Sequence, residues 1–178
     1  MDSDERGPRF GARRRSGRVT CRGVVYRVCK RFTVESGHML SKHPGRCRFP
    51  HGHTRTIEVV VASDRLDARD MVVDFKALKL AVRDHLMRYD HALAIHRDDP
   101  LLPALRGTHP EAVLQFEDRD PTTEAMAEEV FAFVEGVLAR GFEGEADGVA
   151  YRIPPGATRL ERVRVWETPD SWAEVGGA

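Results

Sequence analysis

Cysteine is scarce in this chain, and the few present are odd in number: Cys21, Cys29 and Cys47. A disulfide framework is therefore not expected, and a reducing cytoplasm is the default compartment. Lysine is nearly absent too. Lys30, Lys42, Lys76 and Lys79 are the only ones, and arginine carries the remaining positive charge. A biased genome explains that more simply than phosphate binding. Net charge is missing, with 28 basic residues against 28 acidic ones. That balance argues against a chain built to grip nucleic acid or an anionic membrane. No apolar run approaches the ~20 residues of a membrane helix. The basic N-terminal stretch has no apolar segment behind it, so it does not read as a secretory signal. There is no ~30-residue βαβ repeat, no glycine fingerprint of a nucleotide fold and no internal repeat.

What is present suits a single globular domain: 178 residues, 41% hydrophobic and 31% charged. Residues 1–20 are rich in Gly, Arg and Ser without any period, and are expected to form a disordered tail. Arg13, Arg14 and Arg15 could touch a polyanion, but a solvated tail is the simpler reading. Residues 21–178 then make one domain. Val24, Tyr26, Val28, Phe32 and Val34 alternate with Arg27 and Arg31, the period of a half-buried strand. Thr54 to Ala62 predicts a second strand, with Ile57, Val59 and Val61 inward against Arg55 and Glu58. Met71-Val72-Val73 is a third, strand-like apolar piece. Asp74 stands where a helix N-cap belongs, before a stripe of Phe75, Leu78, Val82, Leu86 and Tyr89. Residues 97–121 read as an irregular excursion with a short strand at 112–116. Thr122 or Thr123 opens a second helix, striped by Met126, Val130, Phe133, Val134 and Val137. A Gly/Glu-rich loop at 141–148 precedes a last strand through Leu160, Val163 and Val165. This order predicts an α+β layer, an antiparallel sheet with two helices on one face.

The chemistry concentrates in His51-Gly52-His53. Two residues apart on a strand, both imidazoles point to one side, and Gly52 relieves crowding between them. His38 follows the first strand, so hairpin pairing would return it beside them. Three neutral imidazoles with one position open is the pattern of a catalytic zinc; the competing reading is three ordinary surface histidines. Cys47, four residues before His51, has three possible fates. It could close the zinc site as a fourth ligand, act as a thiolate base or nucleophile favoured by Arg46 and Arg48, or be a small buried thiol. A Gly/Pro-rich loop is a poor place to bury one.

Phe32, Gly37-His38, Cys47-x-x-x-His51-Gly52-His53, Val73-Asp74-Phe75, Asp90-His91, Pro121-Thr122-Thr123-Glu124 and Trp166-Glu167-Thr168 fall in order along the chain. Together they resemble the 6-pyruvoyl-tetrahydropterin synthase family, which includes the 6-carboxy-tetrahydropterin synthases of the queuosine pathway. The resemblance spans about residues 24–174. It implies the T-fold, an antiparallel sheet of about four strands with two helices on one face. It implies Zn2+ on His38, His51 and His53, with Cys47 as general base tuned by Asp90 and His91. Glu167 would anchor the pterin ring, helped by Thr122 and Thr123. The implied reaction converts 7,8-dihydroneopterin triphosphate to 6-carboxy-5,6,7,8-tetrahydropterin, with 6-pyruvoyl-tetrahydropterin as the alternative product. The resemblance also implies a homo-oligomer, hexamer or tetramer, with sites shared between subunits.

Without the resemblance, Asp90 reads as a helix-end turn residue, Glu167 as a rim ion pair and the threonines as a helix cap. Neighbours on a helix do not face each other, so an Asp90-His91 pair requires irregular backbone. A further alternative is a non-catalytic zinc-stabilised module with Cys47 as fourth ligand. The Arg-rich tail and the longer segment between His91 and Pro121 depart from the short bacterial forms.

Overall fold

Alternation from Tyr26 onward builds the first strand, and it runs farther than its apolar residues alone suggest. In the computed structural model, which describes residues 23–177, β1 spans Tyr26–His38 and β2 spans His51–Ser63. The tail assigned to residues 1–20, and Cys21, lie outside the described residues. The two strands pair antiparallel along their whole length, with Ser36 opposite His53, Gly37 opposite Gly52 and His38 opposite His51. His38 therefore belongs to the strand itself.

Asp74 caps α1 (Phe75–Leu86): its carboxylate accepts the amides of Lys76 and Ala77 at 2.8 and 3.2 Å. Leu78, Val82 and Leu86 bury one face of that helix, but Phe75, expected on the stripe, is 49% exposed. It is the first residue of the helix. Then come β3 (Leu93–His96), the short helix α2 (Leu102–Thr108) and β4 (Val113–Phe116). Thr122 caps α3 (Thr123–Arg140), its hydroxyl accepting the Ala125 amide at 3.2 Å. A hairpin follows, β5 (Phe142–Ala146) with β6 (Val149–Ile153), and β7 (Arg159–Thr168) with β8 (Ser171–Gly176) ends the chain.

The main sheet runs β4-β3-β1-β2-β7-β8. It has six strands rather than about four, and it is mixed rather than wholly antiparallel, because β3 pairs parallel to both β1 and β4. Parallel neighbours need a crossover connection of a dozen residues or more, which the segment after His96 supplies through α2. The excursion at 97–121 is thus partly sheet and partly crossover. Met71-Val72-Val73 forms no strand; only Val73 is buried there. The Gly/Glu-rich segment is not a loop but a hairpin, turned by Asp147 (φ 54°) and Gly148 (φ 73°). Both turn residues adopt the left-handed conformation that two-residue hairpins favour.

The core lies between the sheet and α1 and α3. Ile57, Val59, Val61, Val163 and Val165 from the strands meet Leu78, Val82, Val130 and Val134 from the helices. Arg55 and Glu58 were expected to face outward, but they are 1% and 5% exposed. Strand alternation places residue 55 on the side of His53 and Ile57, so the inward position follows from the backbone period. Among the described residues no helix is long and apolar enough to cross a membrane.

Leu78→Ala should lower unfolding free energy by about 2–5 kcal/mol, and Asp74→Ala by about 1 kcal/mol, in urea titrations of the metal-free chain. A Leu78→Ala loss below about 1 kcal/mol would contradict this placement of the core.

Candidate metal centre and active site

The register of β1 and β2 brings three imidazoles together at one end of the sheet. Ring centroids of His38 and His51 are 4.4 Å apart, those of His38 and His53 5.3 Å, and those of His51 and His53 5.1 Å. One ligand nitrogen from each ring lies within 4.8 Å of the others. Gly52 fits between the histidines because an added Cβ would sit 3.3 Å from the Ser36 carbonyl oxygen.

Two of the rings are already oriented for ligation. His38 Nδ1 lies 2.8 Å from the Pro121 carbonyl, and His51 Nδ1 lies 2.8 Å from the Phe49 carbonyl. A carbonyl can only accept, so Nδ1 carries the proton in both rings and Nε2 keeps its lone pair. Metal-binding histidines are commonly fixed in this way. Burial lowers the His38 pKa from 6.5 to about 4, with Arg55 and His51 adding to the effect and the Pro121 carbonyl opposing it. Burial likewise lowers that of His53. Both rings are thereby held neutral, the form that binds metal. His53 Nε2 is buried without a hydrogen-bond partner. An orphaned nitrogen of that kind costs about 1–3 kcal/mol, and a shared cation would satisfy it. Three imidazole nitrogen donors suit a divalent transition ion such as zinc.

Cys47 lines the same cavity of about 500 Å3 as the three histidines, along with Thr122, Thr123 and Glu167. Its sulfur is not among the converging ligand atoms. Glu167 is the extra residue of a bulge in β7, between Trp166, paired with Trp172, and Thr168, paired with Ser171. Bulges re-aim side chains, and this one directs the carboxylate inward. Burial alone would raise the Glu167 pKa, but the Arg55 guanidinium, the Thr123 hydroxyl and the two imidazoles together hold it below the ordinary carboxylate range. The Thr123 hydroxyl donates to Glu167 Oε1 at 3.0 Å and accepts from Arg55 Nη1 at 2.8 Å. Thr122 serves as the cap of α3, so both threonine hydroxyls already have partners inside the protein.

Asp90 and His91 do not line that cavity. They follow α1 and touch each other, His91 Nδ1 to Asp90 Oδ2 at 3.0 Å. Irregular backbone makes this possible: His91 has φ 56°. The turn is pinned to β1, where the Glu35 amide donates to Asp90 Oδ1 at 2.8 Å and the His91 amide donates to the Glu35 carbonyl at 2.6 Å. The Glu35 amide first, and then His91, hold the Asp90 carboxyl below its ordinary range. The His91 side chain is 79% exposed. Sequence reasoning missed two participants, Arg55 and Glu35. The signal for Arg55 was its parity with His51 and His53; Glu35 contributes mainly through backbone atoms, which leave no composition signal.

A family model for 6-pyruvoyl tetrahydropterin synthase matches residues 27–178. The chain belongs to this family. It is accordingly an enzyme, a lyase of the tetrahydropterin synthase kind. The 6-carboxy-5,6,7,8-tetrahydropterin synthase of Aquifex aeolicus is 29% identical over 169 residues, spanning 85% of this chain and 98% of that protein. The enzyme of the same name from Haemophilus influenzae is 26% identical over 160 residues, spanning 84% and 98%. Among solved structures, an uncharacterized protein from Wolinella succinogenes superposes with a TM-score of 0.68 at 23% identity, covering 87% of this chain and 99% of that one. The 6-pyruvoyl tetrahydropterin synthase of Plasmodium vivax superposes at 0.60 with 14% identity, covering 85% and 97%. At such identities the structural likeness speaks to the fold.

The His38 shift sets a pH dependence for the metal-free chain. Below pH 6.5 the unfolded chain takes up a proton that folded His38 refuses until about pH 4. The unfolded state therefore binds more protons in that window, and stability falls as pH falls. His38's contribution should be complete above pH 6.5 and lost toward pH 4. Urea titrations should show the wild type losing more stability than His38→Gln between pH 6.5 and about pH 5. Equal losses would contradict the buried, neutral imidazole.

Proposed function

We propose that the chain is a zinc-dependent synthase that converts 7,8-dihydroneopterin triphosphate to 6-carboxy-5,6,7,8-tetrahydropterin, releasing triphosphate and acetaldehyde, in the queuosine pathway. The observation that carries this reading is the convergence of three imidazoles on one side of a cavity that Cys47 also lines. The curated relatives named above, which match nearly end to end, support the carboxy product over the pyruvoyl one.

His38, His51 and His53 would hold the zinc. As a Lewis acid it would polarise side-chain hydroxyls of the substrate and acidify the adjacent C–H. Cys47 would be the base that takes that proton, and its freedom from the ligand cluster would leave it available. Glu167, held ionised by Arg55, would accept from the N–H donors of the amino-pyrimidine edge of a pterin through its second carboxylate oxygen. Thr122 and Thr123 wall the same pocket. The Thr123 hydroxyl also braces the Glu167 carboxylate.

Asp90 and His91 fit this scheme through a neighbouring copy. The pair is hydrogen-bonded and fixed by a left-handed turn, with His91 exposed, yet lies outside the cavity of its own Cys47. A homo-oligomer would bring it to the site of another subunit. A non-catalytic zinc module is the weaker reading, because its fourth ligand was to be Cys47, whose sulfur stays outside the cluster.

Two experiments test this reading. Cys47→Ala should retain stoichiometric zinc while turnover falls by about 10²- to 10⁴-fold, and mass spectrometry of wild-type products should detect acetaldehyde. Loss of zinc in that variant contradicts the role of Cys47, and a pyruvoyl product without acetaldehyde contradicts the assigned reaction. In the second experiment, Cys47→Ala and His91→Asn chains are mixed and allowed to exchange subunits. Activity should rise above the sum of the separate preparations. No recovery in verified mixed oligomers would contradict shared sites.

A further inference from the structure

Arg55 is almost wholly enclosed beside the candidate metal centre, an unusual place for a permanent cation. It is 1% exposed, and its Nη2 lies 3.2 Å from His38 Nε2, a nitrogen that would face the ion. A guanidinium there repels a divalent cation and carries a large desolvation cost. What it holds explains why it is there. Nε donates to Ser36 Oγ at 3.1 Å, Nη1 donates to Thr123 Oγ1 at 2.8 Å, and Nη2 donates to Glu167 Oε1 at 3.2 Å. Thr123 passes the grip on, donating to the same Oε1 at 3.0 Å.

That oxygen lies within easy reach of the metal centre. Oε1 is 3.3 Å from His38 Nε2 and 3.5 Å from His53 Nε2. Carboxylates readily complete histidine zinc sites, and a Glu at this range is a competent fourth ligand. Such ligation would fill the position a substrate needs and withdraw the carboxylate from ring recognition.

We infer that Arg55 is a positioning residue that, with Thr123, competes with the ion for Glu167 Oε1, an oxygen already at ligand spacing from His38 and His53 Nε2, so that the fourth coordination position stays open to substrate and Oε2 is left for the pocket. The inference rests on the reading that the three histidines hold a divalent ion. None of the bonds just described involves Oε2. The two donors on Oε1 do different work: the guanidinium supplies the charge that competes with the ion, and the threonine supplies direction.

Cobalt(II) reports the point directly, because its visible absorption responds to a change of ligand. In the full-length chain, Arg55→Met should shift the Co2+ spectrum and tighten Co2+ binding by about tenfold or more, measured by competition with a chelator. Glu167→Gln placed on that background should restore the wild-type spectrum. Glu167→Gln alone should leave the spectrum unchanged. Thr123→Val, a near-isosteric change, should move the spectrum and affinity in the same direction by a smaller amount, and it decides the matter if Arg55→Met fails to fold. A wild type that binds Co2+ beside folded variants with unchanged spectra and no gain in affinity overturns the inference alone. A wild type that takes up no ion overturns the metal reading, and the inference with it.

Discussion

The pairing register between β1 and β2 is the constraint on which the rest of this molecule depends. Each strand runs 13 residues, and the two match from end to end, placing His38 directly across from His51 and one step from His53. A slip of one residue would send every side chain of one strand to the opposite face. The apolar positions forbid that slip, since Ile57, Val59 and Val61 would leave the core. The same burial that stabilises the sheet thus fixes the geometry of the three imidazoles. Stability and chemistry are coupled through one backbone alignment.

Around that alignment the fold builds a polar pocket at the end of an otherwise apolar core. Pro121, at the entry to α3, supplies the carbonyl that orients His38, and the next two residues cap the helix and brace Glu167. The bulge at Glu167 turns a strand-end carboxylate toward the centre. Arg55 balances that carboxylate from beneath. Removing any one of these would leave a buried group without its partner, so the members depend on one another in a way single-residue energies do not describe. On the far side of β1, the Asp90-His91 turn is held by the backbone of Glu35, with the His91 side chain presented outward.

Much of this was legible in the sequence because it depends on periodicity and spacing. The alternation of β1, β2 and β7, the Asp74 cap and the His51-Gly52-His53 pair all express local rules. Cys47 stood out by its spacing to His51, and the family resemblance gave roles to it, to Glu167 and to the Asp90-His91 pair. What escaped were features whose cause is non-local or carried by backbone atoms. β3 is four residues long and acquires strand character only from parallel partners on both sides. β8 follows a Pro169-Asp170 turn, and Ala173 is its only wholly buried side chain. The β5–β6 hairpin had a readable Asp147-Gly148 signal, outweighed by the polar residues around it. Arg55 was misplaced because charge suggested the surface, whereas strand parity required the interior.

The central claim is that three imidazoles share one ion while the Cys47 sulfur stays off it. X-ray absorption at the zinc edge of the reconstituted full-length protein tests this most directly. The account predicts nitrogen and oxygen neighbours at about 2.0–2.2 Å, with the multiple-scattering pattern of three imidazoles and no sulfur shell. A sulfur neighbour at about 2.3 Å, or fewer than three imidazoles, would contradict it.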